Sequence, residues 1–315
     1  MKIKLLTTII AGVLLAGCGG GNDNSVDGGG DKDKKTTPVL AFDGAINGMV
    51  ASYTCADGTS GTTTTKTDGY GFVTVISDTF ADTPESCSVV LSVPTGGEAF
   101  DMSNRKNMQK VVYTIPKGLL KVGQDVAATP FTTLIEKTMA ETKDDIITAT
   151  SSVFSSLGFG SSLTEDQKLG LLTTPAATLE TLSPGLKKSV AATTVVLSDV
   201  LVSQKENKTV TVAEMAAVTE TIAADIIVKN PDYPKSNGET IVIDVSGVLA
   251  DEETFNEAVN GDVPKAVSDI ITNPPTIPDA DIPDPENPPV DPTPEPTPPP
   301  TGGTGGSGDG GGNGN

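Results

Sequence analysis

Between Val39 and Ile115, apolar residues recur at every second position. Met49, Ala51, Tyr53 and Cys55 point one way, Ser52 and Thr54 the other, and Cys87, Val89, Leu91 and Val93 repeat the pattern. Phe72-Val73-Thr74-Val75-Ile76 and Val111-Val112-Tyr113-Thr114-Ile115 are β-branched and aromatic runs. This alternation predicts half-buried strands. Asp57-Gly58, Asp68-Gly69 and Thr95-Gly96-Gly97 supply the positive-φ residues that tight turns need. The Thr62–Thr65 run suits an exposed or edge strand. Short strands between turn signals predict a small antiparallel β-sandwich over residues 39–118.

At Thr129 the period becomes helical. Thr129-Pro130 is a cap followed by proline at the first helical position, with Phe131, Leu134, Ile135 and Met139 on one face. Ile146, Ile147, Val153, Phe154 and Leu157 form a second stripe that ends at Gly158. Thr164 with Gln167, and Thr211 with Glu214, make capping boxes. The first precedes Leu169, Leu171 and Leu172; the second precedes Met215, Val218, Ile222 and Ile226, and Asn230-Pro231 stops that helix. Ser183-Pro184 opens a helix carrying Leu186, Val190, Thr194, Leu197 and Leu201. Lys187, Lys188, Asp199, Glu214, Glu220 and Asp225 interrupt these apolar stretches, which reads as amphipathic core helices rather than membrane spans. Ile241, Ile243 and Val245 alternate after Asn237-Gly238, and two last helices hold Phe255 and Val259, then Val267, Ile270 and Ile271. The fold class expected is therefore α+β: the N-terminal β-sandwich, then an all-α helical domain over 125–272 long enough to bury a core. Disordered tethers are expected at both ends.

Both ends have little to bury. Residues 18–38 are mostly Gly, Asn, Asp and Lys, the composition of a flexible tether. From residue 273 to 315 the chain is acidic, first Pro-rich and then Gly-rich, with 13 of its 23 prolines between Pro274 and Pro300. A projecting tail and a linker to a further domain both fit that composition.

The first residues explain where such a chain resides. Lys2 and Lys4 flank Ile3 at the start of an apolar stretch, Ile3 to Leu15, that leads into Ala16-Gly17-Cys18. A basic start, a short apolar run and small residues before a cut describe a secretory signal over residues 1–17. Leu15-Ala16-Gly17-Cys18 closely resembles the bacterial lipoprotein box. That resemblance implies cleavage before Cys18, acylation of its sulfur and membrane attachment through lipid at Cys18. Gly19, where the enterobacterial retention signal has aspartate, implies the outer membrane. Cell-surface exposure is the expectation, with the periplasmic face as the alternative.

Charge and missing residue types narrow the activity. The formal charge is −20, and loss of Lys2 and Lys4 takes it to −22, which opposes binding to nucleic acid and to anionic lipid. With Cys18 acylated, Cys55 and Cys87 remain as an even pair in an oxidising compartment. A disulfide is favoured over two reduced, buried thiols. There is no histidine, so Ser-His-Asp and Cys-His arrangements and His-based metal sites are absent. Tryptophan is absent too, and the tyrosines are Tyr53, Tyr70, Tyr113 and Tyr233, a thin supply of flat sugar-stacking surfaces.

Asp144-Asp145, Glu165-Asp166 and Asp251-Glu252-Glu253 could in principle serve hydrolysis or calcium, but each falls at an expected helix N-terminus, where carboxylates complement the dipole. Asp279, Asp281 and Asp284 promise weak cation condensation at most. No Ser-x-x-Lys spacing occurs at Ser52, Ser60, Ser183 or Ser203. No catalytic residue, cofactor or metal is assigned.

The strand region also resembles the carboxypeptidase regulatory-like or transthyretin-like sandwich of bacterial surface proteins. The residues that carry this are Asp43-Gly44-Ala45-Ile46-Asn47-Gly48 and the turn Thr67-Asp68-Gly69-Tyr70-Gly71-Phe72, over about a quarter of the chain. The resemblance implies a non-catalytic binding or spacing module, with Phe72 in the core. Thr129-Pro130-Phe131-Thr132-Thr133-Leu134 is similar to a helix start that often follows such modules in lipoproteins. The function expected is adhesion or matrix interaction at the cell surface, without catalysis, through an extracellular polysaccharide or protein ligand. The alternative is a periplasm-facing accessory lipoprotein that helps assemble or secrete an envelope machine.

Overall fold

The computed structural model describes residues 35–288, apart from Glu206 and Lys208. The signal segment, Cys18, most of the expected N-terminal tether and the end of the acidic tail lie outside the described residues. The fold is mixed α+β.

Strands come first. β1 (Thr36–Ala41), β2 (Ile46–Asn47), β3 (Val50–Cys55), β4 (Ser60–Thr62) and β5 (Phe72–Ile76) precede a short helix, α1 (Asp78–Asp82). β6 (Cys87–Ser92), β7 (Phe100–Asp101), β8 (Val112–Ile115) and β9 (Ala127–Ala128) follow. The largest sheet has the antiparallel order β4-β3-β6-β8, with β4 on an edge; of the Thr62–Thr65 run expected there, only Thr62 belongs to it. Cys55 lies directly opposite Cys87 across β3 and β6, and the two are joined by a disulfide. A second sheet has the order β5-β1-β9, in which β1 and β9 run parallel. β1 begins inside the expected tether, and β9 lies beyond residue 118.

Helices come next: α2 (Pro130–Thr142), α3 (Ile146–Ser156), α4 (Glu165–Thr173), α5 (Pro175–Thr181), α6 (Pro184–Ser203) and α7 (Val212–Lys229). Their starts obey local chemistry. Thr129, Thr164 and Thr211 form capping boxes with Thr132, Gln167 and Glu214, and Asp145 caps α3 through the Thr148 amide. β10 (Lys235–Ser236), β11 (Glu239–Ile241), α8 (Ser246–Leu249), α9 (Glu252–Val259), α10 (Lys265–Thr272) and β12 (Thr276–Ile277) complete the described chain.

Several expectations are corrected. Phe72 does not drop into the core: along β5 the inward residues are Val73 and Val75, leaving Phe72 and Ile76 exposed. The turn before it is closed by the Asp68 carboxylate, which accepts from the Tyr70 and Phe72 amides, and its positive φ falls at Gly71 rather than Gly69. A Cβ on Gly71 would sit 2.5 Å from the Ala41 carbonyl oxygen, so glycine lets β1 and this turn approach. Ile147 and Leu169, expected on buried stripes, are exposed. The helix α6 is not amphipathic along its length, because every residue from Ala192 to Leu201 is buried. Residues 273–288 do not begin a free tail. β12 pairs with β11, Asp279 pairs with Lys235, and Pro285 crosses against Gly69.

Strands and helices share one continuous cluster of buried side chains, running from Val39 to Ile271. α2 closes on β8, where the Thr133 hydroxyl accepts from the Thr114 amide at 2.9 Å. Phe131 of α2 stacks on Phe154 of α3, and α6 packs along α7. The disulfide spans 32 residues within the strand region, so reducing it should lower unfolding free energy by about 3–4 kcal/mol in the chain-entropy model. Denaturant titration with and without reductant measures this; an unchanged midpoint would show that the bridge does not constrain the unfolded chain.

Candidate functional site

The turn after β7 is dictated by its own polar residues. Asp101 accepts at Oδ1 from the Ser103 amide (2.8 Å) and hydroxyl (2.7 Å), while Asn104 Oδ1 accepts from the Lys106 amide (2.8 Å). Arg105 takes a left-handed φ of 60°, which sharpens the turn. Gly44 is required beside it, because a Cβ there would lie 2.4 Å from Asp101 Oδ1. The turn drives Lys106 inward onto α6. Its Nζ donates to Asp199 Oδ1 at 2.5 Å, and both side chains are 5% exposed or less. Asp199 Oδ2 accepts from the Val245 amide at 2.8 Å, in the connection before α8.

A second part of the network lies on β8. Tyr113 donates to Asp43 Oδ2 at 3.1 Å and shares a hydrogen bond with Ser198 Oγ at 2.7 Å. The other oxygen of Asp43 is buried without a hydrogen-bond partner among the described residues. Burial, reinforced by the charge of Asp101, pushes the Asp43 carboxyl up to about 7. Burial likewise pushes Asp199 up to about 6, against the pull of Lys106. Asp101 is raised for the same reason. Lys106 is raised despite its burial, because Asp199 and Asp43 hold its proton. Burial drives the Tyr113 and Tyr233 hydroxyls upward, so both stay neutral near pH 7.

Sequence inspection missed one motif here. Ser103-Asn104-Arg105-Lys106 has the Ser-x-x-Lys spacing, yet Ser103 Oγ donates to Asp101 and the Lys106 ammonium is taken by Asp199. A lysine held protonated cannot take a proton from serine, so this geometry does not assemble a Ser-Lys pair. The acids singled out in sequence remain scattered. Asp145 and Asp251 cap helices, and amide hydrogen bonds from Thr148 and Thr254 lower their carboxyls; Glu165 pairs with Lys168 at 2.7 Å. Asp279 pairs with Lys235, and Asp284 binds its own turn. No group of three or more potential metal ligands occurs among the described residues.

The surface opens next to Tyr113 and Ser198. A pocket of about 210 Å³ lies between β8, α2 and the C-terminal end of α6. Val111, Val112, Leu201 and Val202 give it an apolar wall, and Lys110, Lys137, Lys205 and Glu136 give it charge. Glu136 is half-buried, which raises its carboxyl, while Lys117 pulls the other way. A broader hollow on α9 is lined by Asp251, Glu252, Glu253, Asn256, Glu257 and Asn260.

No helix among the described residues is long and apolar enough to cross a membrane. Comparison with protein-family models, with characterised proteins and with solved structures found no match.

The raised carboxyls have a definite sign. The folded state binds their protons more tightly than the unfolded state, whose aspartates titrate near the ordinary 3.8. Their stabilisation is complete below that value and is lost as pH rises through about 6 to 7. The melting temperature should therefore fall between about pH 4 and pH 7, and Asp43→Asn should flatten the upper part of that fall. Thermal scans across this range check it; a melting temperature that climbs toward neutrality would contradict the assignment.

Proposed function

We propose that this chain is a lipid-anchored envelope protein whose folded body binds a ligand at the cell surface without performing chemistry on it. The anchor reading rests on Leu15-Ala16-Gly17-Cys18, the resemblance to the lipoprotein box, and the outer-membrane reading on Gly19. The binding reading rests chiefly on one observation: among the groups whose protonation the fold perturbs, Asp199, Lys106 and Tyr113 are buried and Asp43 is half-buried, and all four are occupied with joining strands to helices. A reacting group must meet substrate, and these meet each other. We read the N-terminal strands as the sandwich-like module and the helices as its partner layer. Adhesion to an extracellular polysaccharide or protein suits a body carried on a lipid tether, which raises local concentration without a deep cleft.

Protease added to intact cells tests the placement. Loss of the helical region to an antibody, without lysis, is the expected result. Protection until the outer membrane is permeabilised would overturn surface adhesion and favour a periplasm-facing assembly role. Hydrolysis abolished by a single Asp or Glu substitution would overturn the non-catalytic reading.

A further inference from the structure

Cations on an acidic protein are normally neutralised by nearby carboxylates, and most lysines here are. Lys168 sits on Glu165 (2.7 Å), Lys187 on Glu180 (2.6 Å), Lys265 on Asp269 (2.6 Å) and Lys229 on Asp225 (2.8 Å), while Lys35 and Lys235 pair with Asp82 and Asp279. Lys117, Lys121 and Lys143 have no ion pair among the described residues and stand apart; the pocket between β8, α2 and α6 instead gathers several such lysines. Lys110 from the turn before β8, Lys137 from α2 and Lys205 from just beyond α6 line one concavity, and none has an ion-pair partner among the described residues. Glu136 lines the same pocket, yet the cation acting on it is Lys117 rather than any of these three. Against three cations the pocket lining has one carboxylate, Glu136, so it is a net positive spot in a chain of net charge −20 and favours an anion.

The remaining walls limit what that anion can be. Val111, Val112, Leu201 and Val202 offer apolar surface, which strengthens a charge interaction by lowering the local dielectric. Thr114 and Thr133 lie among them as polar neighbours. About 210 Å³ is below the roughly 300–1,000 Å³ of pockets for drug-sized molecules. The acidic segment after Asn273 does not enter it within the described residues, since it runs by way of Lys235 and Gly69.

We propose that this pocket binds a carboxylate-bearing molecule the size of a single sugar ring, with Lys110, Lys137 and Lys205 surrounding the carboxylate and the valine-leucine wall receiving the ring face. An acidic sugar presented free or at the end of a polysaccharide shares this chemistry. The inference deepens the binding reading by naming the ligand. It is measured on purified protein, so a surface-exposed protein that ignores acidic sugars would sink the pocket alone.

The test is calorimetric titration of the full chain in detergent with galacturonate, with oligogalacturonate, with neutral galactose and with inorganic phosphate. Galacturonate should bind and weaken as salt rises, with galactose inert. Oligogalacturonate that binds more tightly identifies the polymer end as the source; equal affinity identifies the free acid. Lys110→Ala with Lys205→Ala, both on exposed side chains, should weaken binding at least tenfold, and Glu136→Gln should tighten it a few-fold. Circular dichroism should show both variants folded. Several results would overturn the proposal: no uptake of galacturonate, phosphate binding as tightly, affinity indifferent to the lysines, or binding that appears only after residues 289–315 are removed. The last would make the chain's own acidic end the occupant.

Discussion

The contact on which the architecture depends is the buried pair Lys106–Asp199. Taking two ions out of water costs several kcal/mol each, and the cost is recovered only when geometry is good and the remaining hydrogen-bonding capacity is used. Here the geometry is set from three directions. A self-capped turn after β7 delivers Lys106, the central helix α6 delivers Asp199, and the Val245 amide takes the second carboxylate oxygen. Strand region, helical region and the segment after α7 thus converge on one carboxylate. Truncating either side chain, unlike protonating Asp199, which keeps its hydrogen-bonding capacity, would leave the other side chain buried without its partner, a far larger penalty than the intact pair returns in net stability.

A second contact of the same kind lies on β8, where Tyr113 joins Asp43 to Ser198 of α6. Asp43, Asp101 and Asp199 stay close without full compensation from Lys106, and their carboxyls rise together. An acidic interior of this kind is most comfortable when partly protonated.

What the sequence made legible was local. Thr129, Thr164 and Thr211 announce their helices because capping uses neighbours three residues away. The alternation through Met49–Cys55 and Cys87–Leu91 placed the two cysteines on strands, and the structure sets them opposite each other. What escaped was set by distant partners. Asp199 read as a polar interruption of a helix, because the lysine that lets it be buried is 93 residues away. The resemblance of its turn to the sandwich family put Phe72 in the core, but the pairing of β5 with β1 assigns the inward positions to Val73 and Val75. Residues 276–277 read as tail because proline-rich composition hides a two-residue strand that exists only by pairing with β11. The lysine-lined pocket was invisible for the same reason, since its walls come from β8, α2 and α6.

The central claim is that this buried pair makes strands and helices one cooperative unit. Unfolding followed by far-ultraviolet circular dichroism, which reports the helices, and by the near-ultraviolet signal of the tyrosines, which includes Tyr53 and Tyr113 on the strands, tests it directly. The account predicts coincident transitions, both moved by the same large amount in Lys106→Ala. Two separated transitions, with Lys106→Ala shifting only one of them, would contradict it.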